Sequence, residues 1–225
     1  MKKPASENLR KIQAAESRRK VLLTSMAVFA DKGYEGASVR DIVERIGCSV
    51  NAISNHFGSK EKLAAAIVME LKGSIVAPVA NTAEDILSDY AWRVCVKRFV
   101  RQVVGLFAAQ EEPNCYFPAL YRHESANLHA KKVTLHEEIM KPIFRQLEGL
   151  VALGVATREP MEVRLWTLFL WNNIIAYALK HPEVIAADVP AGIDPQLFRE
   201  TTIDFMVDNC IRTLHFLPPV TDAET

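Results

Sequence analysis

Apolar residues recur at three- and four-residue spacing along most of the chain, and no stretch sustains a two-residue alternation. That pattern predicts an all-α protein. Val21, Leu22, Ser25 and Phe29 share one face of a first helix from about residue 17, which ends at Asp31-Lys32-Gly33. Two short helices, 38–45 and 49–57, follow, and a fourth runs from 59 to about 76 and stops near Pro78. Residues 83–109 read as one long amphipathic helix with a stripe of Trp92, Val96, Phe99, Val100, Val103 and Phe107. Shorter segments at 116–126 and 129–153 come next, the latter kinked or broken by Pro142. Long helices at 160–180 and 196–215 close the series. Residues 1–16 read as a flexible basic arm and 218–225 as a disordered tail.

The most informative stretch is 38–60, SVRDIVERIGCSVNAISNHFGSK. Ser38 is a good N-cap, and Asp41 stands three residues on, as in a capping box. Ile42, Val43 and Ile46 give an apolar face, and Gly47 is placed to end the helix in a left-handed conformation. Ser49 can cap a second helix in which Ile53 and Phe57 recur four apart, with Gly58 closing it and Ser59 capping the next. Two helices joined by a short glycine turn is the layout of a helix-turn-helix. The second helix leaves Val50, Asn51, Ala52, Ser54 and Asn55 on its other face, all small or amide side chains. Asn can address an adenine edge through two hydrogen bonds, Ser can donate or accept, and Val or Ala can meet a thymine methyl. A solvated helical hairpin fits the same pattern equally well.

The flanks sharpen this. Phe29, Gly33 and Tyr34, then Ser38 to Ile42, then Ile53, His56, Phe57, Gly58, Ser59, Lys60 and Glu61 together resemble the DNA-binding domain of the TetR family of transcriptional regulators. The resemblance implies a three-helix DNA-binding head over 17–77 and a larger helical ligand-binding and dimerisation body over 78–217. It implies contacts to double-stranded operator DNA from Ser38, Arg40, Ser49, Val50, Asn51, Ala52, Ser54, Asn55, His56 and Lys60. One departure stands out: the family usually carries an aromatic residue where this chain has Ser54 and Asn55. Farther on, Arg122 to Glu124 and the segment around Pro142 resemble the CecR-type subgroup more loosely, since His123 separates the Arg from the Glu.

Charge agrees with a DNA-binding head. The chain is neutral overall, yet residues 1–60 hold 11 Lys/Arg against 6 Asp/Glu, and the remainder 16 against 21. Cys48, Cys95, Cys115 and Cys210 lie far apart with no CxxC pair, which argues against a zinc site or a disulfide framework. His123, His129 and His136 stand six and seven residues apart, without HxxxH or HExxH spacing, so no metal or other cofactor is expected. No nucleotide loop or nucleophile motif is present, and an enzyme is not the expectation. The apolar run 165–179 is too short to span a bilayer, and the N-terminus has no apolar core, so a cytoplasmic protein is expected.

In the body, Trp92, Phe99, Phe107, Tyr116, Tyr121, His123, Trp166 and Phe169 are candidates to line a pocket for a small apolar or aromatic effector. Helical spacing alone fits ordinary core packing as well. Helix 160–180 carries two apolar stripes, of which its own body can cover one, so Ile174 and Tyr177 with Phe205 and Met206 of the last helix are the expected seam of a homodimer. The reading is a ligand-responsive repressor released from a palindromic operator. The alternative is an all-α carrier or interaction protein whose head no longer binds DNA.

Overall fold

The computed structural model describes residues 4–47, 50–80, 89–126, 135–154, 159–180 and 187–216. Among them the chain is helical and contains no strand. The helices are α1 (Pro4–Gly36), α2 (Val39–Ile46), α3 (Val50–Phe57), α4 (Lys60–Ala80), α5 (Asp89–Phe107), α6 (Phe117–Ala126), α7 (Lys141–Gly154), α8 (Pro160–Ala178) and α9 (Pro195–Phe216). A 3-10 turn at Asn114–Tyr116 precedes α6, and a π turn at His136–Met140 precedes α7.

Two compact units emerge. The first comprises Met1–Ser74 and Gln110–Glu138, the second Ile75–Ala109 and Ile139–Thr225. In the first, α1 packs on α2, α3 and α6, and buries Leu22, Met26, Phe29, Ile42, Ile53, Phe57, Leu63 and Phe117. The second unit packs α5, α7, α8 and α9 about Val96, Phe99, Ile143, Leu147, Leu170, Ile174 and Val207. Segment 110–138 thus belongs to the compact unit of α1, α2 and α3, whereas a cut by sequence position at 77/78 assigns it to the body.

The reason lies in α6. His123 Nε2 is 3.0 Å from the carbonyl oxygen of Ala30, and a carbonyl can only accept, so that nitrogen carries the proton. Gly33 makes the approach possible: its φ is 71°, and a Cβ there would lie 3.2 Å from His123 Nδ1. Glu124 next in line accepts from the backbone N–H groups of Leu135 and His136 at 2.7 and 2.8 Å. Lys72 meets Glu138 at 2.6 Å, and Ser74 donates to Asn114 at 2.7 Å. Long-range polar contacts of this kind leave no periodicity for a sequence reading to find.

Two local expectations change, and a third takes a definite form. The expected flexible arm is helical from Pro4, because residues 5–20 contain neither Gly nor Pro and are rich in Ala, Arg, Lys, Glu and Gln, with Pro4 suited to a helix start. α4 continues past Pro78 to Ala80, only one turn beyond the expected stop. At Pro142 the break takes the form of a π turn: proline offers no N–H to the carbonyl of Glu138, and the widened turn lets α7 restart at Lys141.

Candidate nucleic-acid interface

α2 and α3 have eight residues each, too few to hold a helix by themselves in water, so their ends must be fixed. Ser38 Oγ accepts from the Asp41 N–H at 3.2 Å, and the Asp41 carboxylate accepts from the Ser38 N–H at 2.7 Å and its hydroxyl at 2.5 Å. Lys32 Nζ reaches the other carboxylate oxygen at 2.5 Å. The Lys32 amine first, then Ser38, hold the Asp41 carboxyl well below the usual carboxylate range. At the far end Gly47 takes φ 72°, ψ 34°, and its N–H returns to the carbonyl of Val43 at 2.9 Å. Gly58, at φ 84°, closes α3 with a bond to the Ser54 carbonyl at 3.0 Å, and Ser59 caps α4 through the Lys62 N–H at 3.3 Å.

These caps set which side chains face outward. Ile53 and Phe57 are buried, while Asn51, Ser54 and Asn55 are exposed and Ala52 is half-buried beside them. Arg40 is exposed on α2. Val50 begins α3, but its side chain lies outside the described residues, as does Ser49 entirely. His56 turns toward α1, with Nε2 3.1 Å from Ser17 Oγ, and Arg18 lies over the Phe57 ring at 4.6 Å. Lys60 Nζ sits 4.3 Å above the Tyr34 ring, whose phenol is raised by burial and then by Glu61 and Glu35. A neutral ring therefore steadies a cation at the first turn of α4, where free N–H groups also favour an anion. The Ser38 hydroxyl donates to Asp41 within the cap.

In the body the candidate pocket residues divide. Trp92 is a core pillar: its indole N–H donates to the Leu150 carbonyl at 2.8 Å, and a Cβ on Gly154 would fall 2.1 Å from the ring. Trp166 donates to the Cys210 carbonyl at 2.7 Å, and Phe99 and Phe107 are buried on α5. Tyr116, Tyr121 and His123 lie in the first unit. There the Tyr116 hydroxyl donates to Glu112, which with burial pushes its phenol up to about 12, and Tyr121 stacks on Phe117 at 5.8 Å. Phe169 does not line an interior at all, being 57% exposed on α8.

Burial divides the residues of the expected seam. Ile174 is fully buried with Trp166 and Leu170, which removes it from any surface, and Tyr177 is half-buried. The open stripe of α8 is Met161, Leu165 and Phe169, and on α9 Leu197 and Phe205 are exposed while Met206 is half-buried.

A capped helix, a left-handed glycine turn and a second helix with an exposed amide face define a helix-turn-helix protein. Residues 21–67 of the chain match the family of bacterial regulatory proteins, tetR family. Over 54 residues it is 48% identical to the HTH-type transcriptional repressor AcnR of Corynebacterium efficiens, a match covering 24% of this chain and 29% of that one. The similarity to AcnR therefore spans less than a third of that protein's length. A longer match, 24% identical over 177 residues, is to the HTH-type transcriptional dual regulator CecR of Shigella flexneri, covering 75% of this chain and 78% of that one. In fold it is similar to a TetR-like transcriptional regulator from Rhodococcus sp. RHA1, at a TM-score of 0.63 and 17% identity over 89% of this chain and 96% of that one. It is also similar to the ketosteroid transcriptional regulator KstR2 of Mycobacterium tuberculosis, at 0.60 and 16% over 85% and 93%.

Proposed function

We propose that the chain is a DNA-binding transcriptional regulator that grips a palindromic operator as a homodimer and is released by a small molecule, acting as a repressor. The observation that carries this reading is the exposed Asn51, Ser54 and Asn55 face of α3, fixed at both ends of the motif by Ser38, Gly47 and Gly58. A head that had lost DNA would have no need of a capped helix free of long charged side chains on its outer face, which disfavours the carrier reading. Lys60 over Tyr34 and the exposed Arg40 supply charge for phosphates beside that face.

The open stripe of α8 and α9 offers a two-fold pairing surface, and a dimer on a palindrome needs its two copies of α3 in successive major grooves, about 34–36 Å apart. An effector acts by preferring a body conformation with another head separation, and needs differential affinity of about 1–3 kcal/mol to do so. The side-chain oxygens of Gln102 on α5 and Gln146 on α7 are buried and have no hydrogen-bond partner among the described residues. An unsatisfied buried acceptor costs roughly 1–3 kcal/mol, which an O–H or N–H donor on an effector would relieve.

Selection of duplexes from a random library by the purified chain tests the proposal. The expected product is an inverted repeat with half-sites one helical turn apart, bound more weakly as salt rises. Recovery of no sequence above background at low salt would return the carrier reading.

A further inference from the structure

Residues 8–20 of α1 are exposed throughout, Leu9 and Ile12 more than half so, and this length holds five cations (Arg10, Lys11, Arg18, Arg19, Lys20) against one acid, Glu16. The cations are not evenly placed. The face that buries Leu22, Ser25 and Phe29 continues toward the N-terminus as Arg18, Ala15, Ala14 and Lys11, at the same three- and four-residue spacing. Below Arg18 this face is core. From Arg18 toward the N-terminus, the face presents two long cations, Arg18 and Lys11, separated by alanines small enough to let the helix backbone come close to a partner. Its starting point is fixed against the recognition helix, because Ser17 pairs with His56 and Arg18 lies over Phe57 at the end of α3.

We infer that this helical extension is a second DNA-contacting element, its Lys11–Arg18 face docking on backbone phosphates of the duplex beside the bases that α3 reads. The inference rests on the reading of the head as DNA-binding. Residues 8–17 extend roughly 15 Å along the helix, the span of about four phosphates at ~3.4 Å per step. Charge complementarity selects a polyanion, and phosphate contacts carry no sequence information, so the element adds affinity without changing the preferred bases.

The test uses the full chain and a duplex it has itself selected from random DNA, with circular dichroism confirming folded helix in each variant. Lys11→Gln should flatten the slope of log affinity against log salt by about 0.9, with base preference unchanged. Ala15→Glu, on the same face, should weaken binding to every duplex, whereas Gln13→Glu, on the opposite side of the helix, should bind like the wild type. An unchanged slope in Lys11→Gln, or equal losses in Ala15→Glu and Gln13→Glu, overturns the inference while leaving the head's own DNA reading intact. Loss of self-association in Lys11→Gln with an unchanged slope would make the face an interface between copies, which also overturns it. A wild-type chain that binds no duplex refutes both readings together.

Discussion

The two compact units hold their helices in different ways. In the first, α2 and α3 are only eight residues long, and their place is fixed by end groups: Ser38, Asp41, Gly47 and Gly58. The helices packed in the second are 14 to 22 residues long and are held by apolar faces, with Trp92 and Trp166 bridging them through single hydrogen bonds to backbone carbonyls. A unit built on caps keeps a polar outer face available for reading a partner. A unit built on stripes has surplus apolar surface and is suited to pairing and to enclosing an apolar molecule. The contrast predicts that polar substitutions decide the behaviour of the first unit and changes of volume decide that of the second.

The largest effect should come from the surplus surface. Phe205→Asp and Phe169→Asp place a charge in the open stripe and should each cost roughly 2–4 kcal/mol of dimerisation, read by sedimentation equilibrium. Ile174→Asp would instead unfold its own unit, because that side chain is interior. A stable dimer in both Phe variants would move the seam elsewhere.

Volume comes next. Gly154→Ala drives a methyl group into the Trp92 indole and should destabilise the second unit by about 1–3 kcal/mol in denaturant unfolding followed by tryptophan fluorescence. Gly149→Ala in the same helix meets nothing within 4 Å and should stabilise it by about 0.5–1 kcal/mol. Equal responses from the two glycines would show that packing at Trp92 is looser than its geometry.

On the head, Asn51→Ala should cost roughly 1–3 kcal/mol on the selected duplex and relax preference at one position per half-site. Unchanged preference in a repeated selection would remove Asn51 from the reading set. Smallest is the cap: Ser38→Ala should cost about 1 kcal/mol of stability, seen in the thermal transition. That cap is also pH-dependent. Asp41 has a folded pKa below its ordinary value of about 3.9, so its contribution is complete above that pH and is lost as pH falls below it. Asp41→Asn should remove this acid-side loss, and an acid transition identical to wild type would show that other carboxylates govern it.

These predictions also mark what the sequence makes legible. Caps and turns are local, so Ser38, Asp41, Gly47 and the exposed amides of α3 can be read from neighbours three and four residues away. On α8 both stripes are apolar, and only packing against α5, α7 and α9 decides that Ile174 goes inward and Phe169 outward. His123 looked like a pocket residue because its partner, the Ala30 carbonyl, lies 93 residues earlier in the chain. The basic N-terminal residues suggest a flexible arm, yet they are good helix formers and α1 begins at Pro4.

Two copies of one chain are expected to read one duplex through α3. Sedimentation of the purified chain with a fluorescent duplex carrying its selected inverted repeat tests this directly, run beside the Phe205→Asp variant. The wild type should bind as two or a multiple of two chains per duplex, and specific binding should be lost when dimerisation is lost. A single wild-type chain per duplex, or a monomeric variant that retains full affinity for the repeat, would contradict it.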